Sequence, residues 1–292
     1  MNLIVIGEIL WDVFPTGDRL GGAPFNFAAH SARLGHQVHF LSGAGADPRG
    51  EKALEEMRRL GVSPRWMART SEAPTGYVTV ALDAGEPHYT IHRPAAYDFP
   101  SLDDAQLAAL AATNPGVIYY GTLAQSSPAV RSATRRIIEA CPNATTFYDI
   151  NLRPGNDDLS LVATLLCEAN LVKLNEDEAR RIASAWNLPA SPLEAFCKAL
   201  SRRSPIHGVC ITLGAKGCAL LLDGVYAECP GVSVPVSDLV GAGDAFSAAL
   251  VDAISRHLPP AEAGSFANRL GAFVASRPGA LPEWTQADLD RL

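Results

Sequence analysis

Short apolar runs bounded by turn residues alternate, over most of this 292-residue chain, with segments of helical periodicity. The runs at 3–6, 39–41, 117–120, 146–150, 171–174, 209–213 and 219–222 read as strands, mostly buried on both faces. Between them, 24–34, 49–60, 103–112, 128–140, 159–168, 176–186, 193–202 and 244–257 read as helices. Doubly buried strands separated by helices predict an α/β fold, with a mostly parallel sheet covered by helices on both faces. A chain of this length commonly forms one core in such folds, so a single domain over 1–292 is expected.

Two stretches, 11–22 and 76–92, break the rhythm. In the second, 77–83 and 88–91 flank Asp83-Ala84-Gly85-Glu86, which reads as a β-hairpin with a short Gly-containing loop. Polar and apolar residues alternate loosely there, which leaves one face wet. A small β-layer over one edge of the main sheet follows, a candidate lid contributed by 10–22 and 76–96.

The charge balance narrows the partners. Against 31 acidic side chains stand 24 basic ones, a formal charge of −7 without the basic excess that nucleic acid requires. An anionic substrate must therefore be gripped by a few placed donors, because the global field repels it. The opening Met1-Asn2-Leu3-Ile4-Val5-Ile6-Gly7 enters a strand pattern directly, with no basic flank or cleavage site, and no apolar run approaches a membrane span. A cytoplasmic chain without signal peptide or membrane partner is expected. Cysteines 141, 167, 197, 210, 218 and 229 show no C-x-x-C spacing and no clustering with histidine. They read as free thiols in a reducing compartment, without zinc. Any metal should then be a hard cation held by oxygens, magnesium being the natural candidate.

Chemistry concentrates in Ser237-Asp238-Leu239-Val240-Gly241-Ala242-Gly243-Asp244-Ala245-Phe246, which leaves an extended Val-rich run and enters a helix. Two glycines at the turn let the N–H groups of Ala242, Gly243 and Asp244 point at an anion, and the helix dipole adds positive potential. Asp244 in such a place is either a helix cap or a base on an attacking hydroxyl. Phosphoryl transfer to an alcohol needs both parts of this arrangement, the anion cradle and the base. Other phosphate loops fail: Gly214-Ala215-Lys216-Gly217 lacks the P-loop spacing and lies between two strands, and Gly43-Ala44-Gly45-Ala46-Asp47 is followed by Pro48 where a dinucleotide fingerprint wants glycine.

At this point the chain resembles the PfkB carbohydrate kinase family, with its ribokinase-like fold. The resemblance runs through Gly7-Glu8-Ile9-Leu10-Trp11-Asp12, Gly21-Gly22-Ala23-Pro24-Phe25-Asn26 and Gly45-Ala46-Asp47-Pro48-Arg49-Gly50. It continues through Asp149-Ile150-Asn151-Leu152-Arg153 and Lys173-Leu174-Asn175-Glu176-Asp177-Glu178 to the Gly241-Ala242-Gly243-Asp244 run. Each run alone is unspecific; their order and spacing together are not. The resemblance implies a three-layer α/β/α sandwich with a β-sheet lid, an ATP-dependent sugar kinase, and Asp244 as its base. It also implies that Asp12 and Asn26 bind sugar hydroxyls and that Gly21-Gly22 is the lid hinge. Asp12 lies just past a buried strand, where a carboxylate can accept two hydroxyl donors or simply shape a turn.

On the nucleotide side the resemblance places Lys173, Asn175, Thr212, Gly214, Gly217, Gly241, Gly243 and Asn268 at ATP positions, with Asn268 on a late helix near adenine. Glu178 then helps hold magnesium through water, while Glu176 and Asp177 remain dipole-favoured caps. Lys173 is either near the phosphates or a solvated strand-end lysine. Arg153 clamps the transferring phosphoryl group, orients the sugar, or makes only a helix-entry salt bridge. The family's potassium site maps onto Asp238 and Arg277-Pro278-Gly279-Ala280, although Val240 stands where many relatives carry threonine.

Within the family, Trp11-Asp12-Val13-Phe14-Pro15, the Leu20 to Ala28 run and Arg93-Pro94-Ala95-Ala96-Tyr97-Asp98 look most like the fructokinase branch, where Ala-Ala-Trp-Asp commonly stands at the last position. A 2-keto-3-deoxygluconate kinase is the alternative sugar reading, and an inactive sugar or nucleotide sensor the non-enzymatic one. A homodimer through the lid is the one protein partnership the resemblance suggests.

Overall fold

The computed structural model describes the whole chain except residues 84, 85, 154, 156 and 204 and the side chains of 81–88. Two compact units emerge, 1–120 with 124–144 and 121–123 with 145–292.

In the first unit the strands are β1 (Asn2–Ile6), β2 (Leu10–Phe14), β3 (Gly17–Gly21), β4 (Gln37–Gly45), β5 (Met67–Thr70), β6 (Gly76–Asp83), β7 (Glu86–Ile91) and β8 (Val117–Gly121). The helices are α1 (Ala23–Arg33), α2 (Pro48–Arg59), α3 (Asp104–Ala111) and α5 (Pro128–Ala140); the short α4 (Thr122–Gln125) after β8 begins in the second unit and ends in the first. Strands β8, β1, β4 and β5 lie side by side in that order, and each pairing of β1 and β4 is parallel. Leu3, Ile4 and Val5 have no exposed surface, as the unbroken apolar run requires. Helix α1 seals this sheet through Phe27 stacked on Tyr119 with ring centroids 3.9 Å apart and Phe25 edge-on to Phe40 at 5.8 Å. Each such buried aromatic contributes about 1.5–3 kcal/mol through the area it removes from water.

The small sheet orders its strands β3-β2-β6-β7. Its outer pairs are antiparallel hairpins, and β2 and β6 join them in parallel. The hairpin expected at 77–91 forms, while its loop residues 84 and 85 lie outside the described residues. Asp12 sits in the middle of β2, opposite Arg19 on one side and Val78 on the other. The turn reading of Asp12 is therefore corrected: pairing on both edges makes it a strand residue.

The second unit holds β9 (Thr145–Asp149), β10 (Leu171–Asn175), β11 (Gly208–Thr212), β12 (Gly217–Leu222) and β13 (Val225–Pro230), with α6 (Leu159–Leu166), α7 (Glu176–Trp186), α8 (Leu193–Ser201), α9 (Ala242–Ser255), α10 (Pro260–Ala275) and α11 (Gln286–Asp290). The pairings β9–β10 and β10–β11 are parallel, and β11–β12–β13 closes the series antiparallel. The β12–β13 turn is Asp223-Gly224 with φ of +47° and +83°, the left-handed pair that a two-residue hairpin demands.

Candidate active site

Parallel register builds the centre of the second unit. β9 ends on Asp149 and β10 sets Lys173 directly beside it. Both are buried, and Lys173 Nζ lies 2.9 and 2.8 Å from the two Asp149 oxygens. Ser247 of α9 completes the knot: its hydroxyl is 2.9 Å from Asp149 Oδ2 and 3.0 Å from the Gly243 carbonyl, one proton shared by two acceptors. The ammonium thus stands beneath the first turn of α9. A β-carbon at Gly243 would lie 3.5 Å from Nζ. Burial works against charge on Lys173, but Asp149, Asp244 and Glu178 outweigh it and raise the pKa above that of an ordinary lysine. The solvated reading of Lys173 is corrected by this burial.

Gly241 caps α9 with φ +79°, and a β-carbon on it would fall 2.6 Å from Cα of Ala280. Glycine is required here twice, by the left-handed turn and by the segment packed over it. Asp244 is buried in the first turn of the same helix. Of the three amides expected to face an anion, that of Ala242 reaches the Leu239 carbonyl at 3.4 Å, a long contact. Asp238 binds both flanks of the turn, accepting 3.0 Å hydrogen bonds from Val240 N–H and Gly279 N–H. The expected juxtaposition of Asp238 with 277–280 is therefore present.

Glu178 and Asn175 form a reciprocal capping box at the start of α7. Glu178 Oε2 accepts from Asn175 N–H at 2.8 Å, and Oε1 accepts from Leu152 N–H at 2.7 Å, tying the 150–153 loop to α7. Burial raises the Glu178 pKa, partly offset by these amides. Each carboxylate oxygen keeps a further acceptor position for a water or a cation. Arg153 is exposed and, among the described residues, lacks the helix-entry salt bridge. Thr212 ends β11 beside Asn175. Gly214, with φ +59°, and Gly217, with φ +104°, bound the loop to β12. Asn268 is buried, not a surface residue, and its amide donates to the Cys229 and Pro230 carbonyls at 3.2 and 3.0 Å.

The sequence profile of the pfkB family carbohydrate kinases matches residues 10–286. The chain belongs to the pfkB family of carbohydrate kinases. Fructokinase-1 of Oryza sativa subsp. japonica is 28% identical over 307 residues, covering 96% of this kinase and 93% of the rice protein. A fructokinase of Xylella fastidiosa, solved with bound ATP, superposes with a TM-score of 0.83 at 25% identity, covering 96% and 94% of the two chains. A 2-dehydro-3-deoxygluconokinase of Thermotoga maritima gives 0.86 at 18% identity over 100% and 98%, a likeness of fold alone. The fold is the α/β class expected, with a small separate sheet. Among the described residues no helix of this kinase is long and apolar enough to cross a membrane.

The first unit holds Asp12, Gly21, Gly22 and Asn26, four of the residues expected to meet sugar; Arg153 and Asp244 belong to the second. Asp12 Oδ2 lies 3.1 Å from where a β-carbon of Gly21 would be. Gly22, with φ +106°, caps α1, and its missing side chain leaves room for the Glu8 carbonyl at 2.6 Å. Asn26 is buried in α1 with its N–H on the Gly22 carbonyl at 2.8 Å. Arg93 grips the Asp98 carboxylate through Nε, at 3.2 Å, and through Nη2, and also bonds Ser126. Asp98 in turn accepts from Ala95 N–H at 3.0 Å, which fixes the 93–98 segment.

Sequence reasoning passed over Asp149 as a participant and missed Ser247, Thr122 and Tyr148 entirely. Thr122 bonds the Tyr148 hydroxyl at 2.7 Å and the Ile150 carbonyl, bracing the strand that ends in Asp149. The available signal was positional: Asp149 closes a parallel strand at its carboxyl end, where open α/β sheets place their ligands.

Proposed function

We propose that this carbohydrate kinase transfers the γ-phosphoryl group of ATP to a hydroxyl of a neutral sugar, with D-fructose as the preferred acceptor. The observation that carries the reading is the buried Lys173 ammonium set beneath Gly243, in the same helical turn that bears Asp244. A fixed positive charge and a carboxylate base one residue apart are the two electrostatic needs of an in-line transfer to an alcohol. Asp244 takes the hydroxyl proton as the sugar oxygen bonds phosphorus. The bond from phosphorus to the bridging oxygen then breaks and ADP leaves. The first-turn amides and Lys173 stabilise charge on the phosphoryl oxygens, and Arg153 clamps them.

Magnesium fits the remaining acceptor positions of Glu178, with Asn175 beside it; when bound, the metal would neutralise phosphate charge. Potassium would lie behind the turn, beside the Asp238 carboxylate and the 277–280 segment it holds, where it would set the shape of the anion site. Asp12 and Asn26 hold the sugar, and the small sheet closes over it about Gly21-Gly22, excluding water that would otherwise hydrolyse ATP. We read the chain as one kinase domain acting in the cytoplasm, with the lid as the surface for any homodimer.

A neutral acceptor is favoured over a keto-deoxy acid because Arg93, one of the guanidinium groups near the small sheet, is already held by Asp98 and Ser126. An acid that pairs with Arg93 would need that cation released. The test is a panel of ATP-coupled assays over hexoses, pentoses, nucleosides and 2-keto-3-deoxygluconate. D-fructose should give the highest kcat/KM. Faster turnover of the keto-deoxy acid would replace the acceptor, and nucleotide binding without turnover of any sugar would leave a sensor.

A further inference from the structure

Five of the six cysteines are buried, as free thiols in a core are. Two of them face each other. In the antiparallel pair of β12 and β13, Cys218 stands directly opposite Cys229. Residues so opposed have Cα atoms about 4.5–5.5 Å apart, inside the range a disulfide spans. Both side chains leave the strands toward α10, where their sulfurs converge on Gly264. A β-carbon there would lie 2.4 Å from Sγ of Cys229 and 3.1 Å from Sγ of Cys218, so only glycine leaves the pair its space.

The pair is polarised. The Cys229 thiol points at the Ala261 carbonyl at 3.4 Å and the Cys218 thiol at the Gly264 carbonyl at 3.9 Å, while the neighbouring sulfur draws the Cys229 pKa down and, with burial, pushes that of Cys218 up. A sulfur with more thiolate character is the one that attacks an oxidant. Access comes from the strand itself, since β13 has β12 as its single strand neighbour among the described residues. Such an edge opens locally at lower cost than an inner strand. The pair also reaches the nucleotide side. Asn268, one helical turn beyond Gly264, holds the Cys229 carbonyl at 3.2 Å and the Pro230 carbonyl at 3.0 Å.

We propose that Cys218 and Cys229 are a reversibly oxidisable dithiol whose closure to a disulfide weakens nucleotide binding through Asn268. The consequence for nucleotide rests on the kinase reading above; the chemistry of the dithiol does not. With hydrogen peroxide as oxidant, the Cys229 thiolate attacks one oxygen, an S–O bond forms, the O–O bond breaks, and the departing hydroxide takes up a proton as water. The Cys218 sulfur then attacks the sulfenic sulfur. The S–S bond forms, the S–O bond breaks, and the Cys218 proton leaves with the hydroxyl as a second water. Two thiols are oxidised by two electrons and one peroxide is reduced to two waters. Drawing the sulfurs together moves the Cys229 backbone, and with it the carbonyl that positions Asn268.

The experiment uses the full chain with the exposed Cys167 replaced, Cys167→Ser, so that it cannot scramble the pairing. Reduced protein is treated with peroxide, alkylated and digested. A peptide cross-linked between Cys218 and Cys229 is expected, reversed by dithiothreitol. Titration with a non-hydrolysable MgATP analogue should show Kd about fivefold or more weaker in the oxidised form, with recovery on reduction and no response in Cys229→Ser. Oxidised protein that keeps its circular dichroism but lacks the cross-link overturns the proposal without recourse to any variant. A cross-link with unchanged Kd overturns the coupling. Analogue binding to neither form would overturn the kinase reading and the coupling together, while the peptide map would still decide the dithiol.

Discussion

Asp244 and Lys173 carry opposite charges in one small volume and use them differently. Lys173 is fixed by Asp149 and holds its proton, whereas Asp244, as the proposed base, would take one up. Replacing Asp244 by asparagine keeps shape and removes the basic oxygen. We predict that Asp244→Asn lowers kcat by ~10²- to 10⁴-fold with little change in MgATP affinity. Steady-state rates and calorimetric titration check this, and a variant with most of its turnover intact would displace Asp244 as the base. The residues on this list were unevenly readable. Asp244 announces itself through neighbours in sequence, two glycines and a helix start. Ser247 reaches Asp149 across a separation of 98 residues, and nothing local marks a helical serine as the third member of a buried charge knot. Lys173 reads either as a phosphate-side residue or as a solvated strand-end lysine, because its burial depends on what stands on either side of β10, which only register determines.

Among the elements, the turn into α9 is the one whose shape the chemistry depends on most. Gly241 and Gly279 both have φ near +80°, yet only Gly241 faces another backbone, while nothing lies within 4 Å of a side chain at Gly279. Gly279→Ala should therefore cost about 1–2 kcal/mol, the left-handed penalty alone. Gly241→Ala adds a clash with Ala280 that forces the cradle apart, about 1–3 kcal/mol further, and should abolish most activity. Urea unfolding of the two variants, each with its kcat, separates strain from clash; equal effects would refute the argument. Most helices were legible because one face is polar. The extent of α10 was not, because Ala263, Gly264, Phe266, Ala267, Asn268, Leu270 and Gly271 are all buried and blur the period. β13 escaped too, although Asp223-Gly224 was the available hairpin signal. The small sheet was recognisable as a break in rhythm, but the parallel junction of β2 with β6 joins segments more than 60 residues apart, beyond the reach of local pattern.

For the molecule as a whole, the residues assigned to nucleotide lie in the second compact unit and those assigned to sugar, apart from Arg153 and Asp244, in the first. A ligand stabilises what it binds: at a hundredfold excess over Kd the gain is about 2.7 kcal/mol. Scanning calorimetry with the MgATP analogue should therefore raise the unfolding transition of the second unit, and saturating fructose that of the first. No shift with either ligand would contradict the assignment. The net charge of −7 keeps copies of the chain apart at long range, but it does not govern contact at a sheet border. There the composition of β13 matters. An unpaired border is a template for strand-to-strand aggregation. This one is six residues long, carries the exposed Glu228, and ends on Pro230, which has no N–H to offer a neighbour. The strand that carries half of the dithiol is thereby also protected against fibrous growth, so concentrated solutions should stay dispersed while its register with β12 is kept.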